Sequence, residues 1–220
     1  MTSTTTATAS LDMRGKTITT YIAYAAGQRL GGLAEGDTLE LVTDTGDAID
    51  NDIRAWCRAT GHQLASAAPA GAECRYVIIK GKPRPPSHRL AAVISDAGLE
   101  ELLSPLGFAL AAALEGVEVF LYFQGPAVRV LARGFTEKLH GWNRPFSRFA
   151  RAGLTKAGHV PAQDKIRQLQ ALGARLYICG PSMQHFRMTQ ADIAFPNITV
   201  AEYLTFAEAM ASADIHLFVQ

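Results

Sequence analysis

The stretch Leu176-Tyr177-Ile178-Cys179-Gly180-Pro181-Ser182-Met183 decides how this chain is read. A short apolar run rich in strand formers and stopped by Gly-Pro is a strand that ends in a turn. It leaves Cys179 at the strand's carboxyl end. In an open α/β sheet ligands and reactive groups collect at that edge, and the amides of a following helix start stabilise a thiolate. Sulfur or redox chemistry is one reading of Cys179. A buried cysteine serving as a small hydrophobe is the other.

Working outward, Leu90 to Ile94 reads as a strand, followed by a helix with Ser104 as N-cap, Pro105 at its first position and Gly116 as its stop. Val117 to Phe123 is the next strand, then come a helix over Asp164 to Leu172 closed by Gly173 and the strand Arg175 to Cys179. Thr199-Val200-Ala201-Glu202 has the spacing of a capping box, opening a helix with Tyr203, Leu204, Ala207 and Met210 on one face. Ile215 to Val219 closes the chain as a strand. Continuous apolar strands separated by helices imply a mostly parallel sheet covered on both faces, so residues 90–220 are expected to form a three-layer Rossmann-like α/β domain.

Upstream, Gly81-Lys82-Pro83-Arg84-Pro85-Pro86-Ser87-His88 favours an extended, stiff conformation, which makes residues 81–89 a proline-rich linker. Before it, Thr19 to Leu33 and Ala48 to Thr60 read as helices. Thr38 to Val42, Cys74 to Lys80 and stretches near Leu11 and Leu64 read as strands. The order βαβαββ predicts a small two-layer α/β sandwich over residues 11–80. Residues 1–10, mostly Thr, Ala and Ser, match neither a signal peptide nor a membrane anchor and read as a disordered tail.

Charged residues make up 19% of the chain and the 21 bases nearly balance the 20 acids. This excludes a polyelectrolyte and argues against nucleic acid as a partner. The three cysteines, Cys57, Cys74 and Cys179, form no CxxC pair and no metal-ligand spacing, so the expectations are no metal, no cofactor and a cytoplasmic, reducing setting. No glycine-rich phosphate loop or paired-carboxylate site is legible.

Around Cys179, Gly180 permits close backbone approach and Ser182 is read first as a helix cap. Ser95 and Asp96, following the strand Leu90 to Ile94, reach the same sheet edge. Between Arg133 and Pro161 the cations Arg133, Lys138, Arg144, Arg148, Arg151 and Lys156 stand against the single acid Glu137, with Phe135, Trp142, Phe146 and Phe149 interleaved. Such a segment suits a lid, an anion site or a docking surface. The alternative is a solvated helix face whose aromatics pack inward or into an oligomer interface. Glu35 to Asp52 is its counterpart, with seven acids and no base.

Two family resemblances attach to these residues. Leu11-Asp12-Met13-Arg14-Gly15, together with the helix end Cys57-Arg58-Ala59-Thr60-Gly61-His62, resembles the TusA (SirA-like) sulfur carriers over roughly residues 10–80. In that family the carrier cysteine opens a helix in a Cys-Pro-x-Pro motif. Here Ile18 stands in its place, with Thr19 and Tyr21 for the prolines, so the resemblance implies a TusA fold without carrier chemistry. Cys57, Cys74, which opens an edge-like strand, and His62, beside the Gly61 helix stop, are read as structural. Residues 89–220, with a cysteine ending the strand Leu176 to Cys179, resemble the DsrE/DsrF-like family, whose sulfur-relay members pass persulfide sulfur. The resemblance implies that Cys179 is a persulfide carrier, that sulfur donor or acceptor proteins are partners, and that the chain forms a homo-oligomer without membrane contact. The rival readings are a non-catalytic binding or assembly protein and a small-anion or metabolite pocket built from Ser95, Asp96, Cys179 and the basic loop.

Overall fold

The computed structural model describes residues 7–82 and 88–219, so the prolines of the expected linker and the first residues of the expected tail lie outside the described part. The chain divides into two compact units, Met1–Pro85 with Lys156–His159, and Pro86–Thr155 with Val160–Gln220.

In the first unit β1 (Ala9–Asp12), α1 (Thr19–Gly31), β2 (Thr38–Asp44), α2 (Asp47–Thr60), β3 (Gln63–Ala70) and β4 (Glu73–Ile79) follow one another. Their sheet has the order β1-β2-β4-β3, with β1 parallel to β2 and the other pairs antiparallel. Register explains which face is inside: Leu39, Leu41 and Thr43 stand beside Ile78, Tyr76 and Cys74, and all six are buried. The neighbouring positions Glu40 and Arg75 face outward and pair at 2.8 Å. One face is therefore the core and the other is wet, as in a two-layer sandwich. Gly61 ends α2 in the left-handed conformation that glycine adopts without strain. Two expectations are corrected here. Cys74 opens a strand that lies inside the sheet, between β2 and β3. His62 does not cap helix carbonyls; its Nδ1 accepts the Gly81 N–H at 3.1 Å while its ring packs edge-on against Trp56.

The second unit runs β5 (Arg89–Ile94), α3 (Leu99–Leu114), β6 (Glu118–Phe123), α4 (Ser147–Lys156), α5 (Ala162–Ala171), β7 (Arg175–Cys179), α6 (Gly180–His185), β8 (Ile198–Ala201), α7 (Tyr203–Ala211) and β9 (Ile215–Val219). All five strands are parallel, in the order β8-β7-β6-β5-β9. Helices α3 and α5 pack against each other, as crossovers of the usual right hand place them, while α7, which carries the chain back across the sheet, covers the face of Tyr122 and Tyr177. The central strands are apolar throughout: Leu90–Ile94 of β5 and Val119–Phe123 of β6 are all buried. The Rossmann-like three-layer expectation describes this unit.

Local signals were overridden at two helix starts. Helix α3 begins at Leu99, not at Pro105, because the Leu99 N–H donates to the Lys138 carbonyl at 2.9 Å and Leu99 and Leu102 are buried. Pro105 thus lies inside the helix, where its ring leaves the Glu101 carbonyl without the usual partner. Thr199 opens no helix either, since it pairs with Tyr177 in β8, and α7 starts at Tyr203. A capping box forms instead at Thr189 and Asp192.

Candidate functional site

Cys179 is the last residue of β7, extended at φ −68° and ψ 115°, and only 3% exposed. Strand alternation puts it on the face of Tyr177, whose neighbour in β6 is Tyr122. Phe206 of α7 stacks on the Tyr122 ring at 4.8 Å and meets Tyr177 edge-on at 5.4 Å. The thiol therefore shares the face that α7 covers. The Tyr122 hydroxyl is buried with no hydrogen-bond partner among the described residues. Burial first, and next the Cys179 thiol beside it, push its pKa above the ordinary tyrosine range. It remains a protonated donor facing the Cys179 thiol.

Gly180 opens α6 against β8, where an added Cβ would meet Val200 Cγ1 at an ordinary 3.5 Å. Ser182 does not cap that helix. Its Oγ accepts the N–H of Gly125, in the turn after β6, at 2.9 Å. Next to Gly125, the Gln124 side chain donates to Ser95 Oγ at 3.0 Å. Hydrogen bonds from consecutive residues thus tie together the carboxyl ends of β5, β6 and β7.

Asp96 belongs to a different corner. Its Oδ1 accepts the Gly98 N–H at 2.8 Å and lies 2.8 Å from His140 Nε2, while Glu101 Oε2 lies 3.4 Å from the same nitrogen. Burial raises the Asp96 pKa, but the Gly98 amide and His140 outweigh it and hold the carboxyl below its usual range. Beside this trio opens a cleft of about 650 Å³, lined among others by Gly98, Arg129, Phe135, Lys138, His140 and Arg144. Arg144 lines this cleft; Ser95 and Cys179 do not. A second hollow, about 690 Å³, includes Arg175 and Asn197 at the opposite, amino edge of the sheet.

The aromatics of the basic segment split. Phe135 lines the cleft, whereas Trp142 is 98% exposed and Phe146 and Phe149 also face solvent rather than packing inward. Sequence reasoning missed Tyr122, Glu101 and His140. Tyr122 is one of several aromatics in its strand, and the other two stand at spacings that match no ligand motif. Cys57 is buried on α2, which pushes its thiol up to about 11.

The family described as DsrE/DsrF-like matches residues 88–219. No curated protein matches the chain. The crystal structure of the ychN protein from E. coli is similar over 60% of this chain and 98% of its own, at 14% identity and a TM-score of 0.42.

Proposed function

Because the chain belongs to the DsrE/DsrF-like family, which is associated with sulfur relay, we propose that it is a sulfur carrier holding persulfide on Cys179. The observation that carries this reading is that Cys179 is the one cysteine within residues 88–219 and lies beside the buried Tyr122 hydroxyl at the carboxyl edge of the sheet. In the proposed step the Cys179 thiolate attacks the terminal sulfur of a donor persulfide. The donor S–S bond breaks, its electron pair leaves with the donor thiolate, and a Cys179 persulfide forms without net oxidation. Tyr122 donates its hydrogen to the charged sulfur, and charge-assisted hydrogen bonds of this kind are the strong ones. An acceptor thiolate then repeats the attack.

A thiol this buried needs an opening. Helix α7 supplies one, since only Phe206 and Ala209 anchor its nine residues while Tyr203 and Leu204 are largely exposed. Elements with so few buried contacts open at low free energy. The same apolar residues, with Phe218 of β9, provide surface for a homo-oligomer or for the sulfur partners. In this reading residues 11–80 are a TusA-like docking module. In the same reading Ile18, the residue immediately before α1, stands where the TusA resemblance puts the carrier cysteine. Among the described residues no helix is long and apolar enough to cross a membrane, and a cytoplasmic setting is part of the proposal.

The test is intact-protein mass spectrometry after exposure to a sulfane-sulfur donor, with peptide mapping of all three cysteines. The expected result is an adduct of about 32 Da on Cys179 that Cys179→Ser abolishes. No adduct, or one shared equally with Cys57 and Cys74, overturns the carrier. The cationic cleft favours a second reading, a small-anion site, whose ligand-induced stabilisation would survive Cys179→Ser.

A further inference from the structure

We infer that Asp96, Glu101 and His140 form a binding site for one divalent cation of the zinc class, separate from Cys179 and bordering the cationic cleft. Three elements converge to make it. Asp96 follows β5, Glu101 lies in the first turn of α3, and the loop after β6 delivers His140 through the bridge of Lys138 to Gly98. One donor atom from each, Asp96 Oδ, Glu101 Oε2 and His140 Nε2, lies within 4.8 Å of the others. Two of the separations, 2.8 Å and 3.4 Å, bracket the distance of about 3.3 Å between neighbouring ligands on a tetrahedral ion with bonds of about 2.0–2.1 Å.

Two further observations point to a positive ligand rather than to a plain ion pair. Glu101 Oε2 is buried and accepts no hydrogen bond among the described residues. A carboxylate oxygen stripped of water and left without a donor is the expensive state that a cation relieves. Glycine at position 98 also lets the donors crowd together against the backbone. A Cβ on residue 98 would lie 2.1 Å from both Glu101 Oε2 and His140 Nε2, so only glycine lets the groups converge there. Its φ of −74° is one that any residue adopts, so backbone conformation gives no other reason for a glycine.

The donor set selects the ion. Two carboxylates neutralise a dication, and the imidazole favours zinc and its neighbours over calcium or magnesium, which prefer oxygen alone. Three protein ligands leave a position free, as in zinc sites that take up substrate or water. Gly98 and His140 also line the cleft of Arg129, Lys138 and Arg144, so the free position borders a place suited to an anionic co-ligand.

The test is calorimetric titration of the chelator-treated full-length protein with Zn²⁺, alongside the visible spectrum with Co²⁺. The expected result is one ion per chain and Co²⁺ bands without thiolate charge transfer, both retained in Cys179→Ser. His140→Ala and Glu101→Gln should each weaken binding at least about ten-fold, with His216→Ala, a histidine of β9 outside the cluster, unchanged. If circular dichroism showed either variant misfolded, Gly98→Ala, which keeps all three donors and fills the space between them, should give the same loss. A wild type that takes up neither metal, or uptake unchanged in the folded variants, overturns the site.

Discussion

Two corners of one sheet edge differ in almost every physical respect. At the end of β7 the Cys179 thiol is sealed beneath aromatic rings, beside the buried Tyr122 hydroxyl. At the end of β5 the Asp96, Glu101 and His140 side chains are polar and 28–56% exposed, and His140 lines an open cleft. The first corner holds a reactive group that must be uncovered before it works. The second is poised for a ligand and needs no opening. In the proposed reading, sulfur chemistry depends on protein motion, while cation binding depends on side-chain geometry alone.

The largest expected effect tests whether the sealed corner is core. Tyr122→Ala removes a fully buried ring stacked on Phe206 and should cost about 3–5 kcal/mol in urea unfolding. His140→Ala, at the open corner, should stay within about 0.5 kcal/mol. Equal losses would show both corners to be structural. Tyr122→Phe refines the test, since it keeps the ring and deletes only the hydroxyl beside Cys179. Stability should be nearly unchanged while persulfide uptake on Cys179 slows.

A second buried thiol calibrates the first. Burial pushes Cys57 up from 9.0 to about 11, so the fold prefers its neutral form. That contribution is fully present below pH 9.0 and is lost as pH rises through about 11. A rise from 9.0 to about 11 corresponds to at most about 3 kcal/mol. The measurement is the difference in unfolding free energy between wild type and Cys57→Ala across that window, where the wild type should fall more steeply. Parallel profiles would mean that burial does not hold this thiol neutral.

The two corners also differ in how visibly the sequence announces them. Cys179 was legible because its signal is local: β-formers, a thiol, then Gly-Pro within a few residues. The parallel sheet was legible for the same reason, from apolar runs spaced by helical segments. The Asp96 corner was not, because Asp96 and His140 are 44 residues apart and meet only once Lys138 bridges to Gly98. That same bridge moved the start of α3 away from the strong Ser104-Pro105 signal. Thr199 shows a second kind of failure. Its capping-box spacing is real, but pairing with the apolar strand β7 outweighs a cap contribution of about 1 kcal/mol. Trp142 shows a third, since an aromatic in the sequence does not say whether the fold has anything to cover it with.

The link between the corners can be cut. Ser182→Ala removes the acceptor of the Gly125 N–H and should cost about 1–2 kcal/mol, because the half-buried amide loses its partner. Hydrogen exchange at Gly125 should accelerate with it. If the Gly125 amide stayed equally protected, the β6 turn would be held by packing and the two corners would be mechanically independent.

The smallest expected effect is Gly98→Ala on stability. The added methyl collides with Glu101 Oε2 and His140 Nε2, both at the far ends of side chains that can rotate away. Alanine also suits the backbone there and restricts the unfolded chain, worth about 0.4–1 kcal/mol in favour of folding. The net change should therefore stay within about 1 kcal/mol in chemical denaturation, even as cation uptake is lost. A loss above about 3 kcal/mol would mean that Glu101 and His140 cannot move, and that the open corner is as rigidly packed as the thiol's. The contrast would then lie in polarity alone, and a preformed ion pair would explain the convergence of these side chains better than a ligand does.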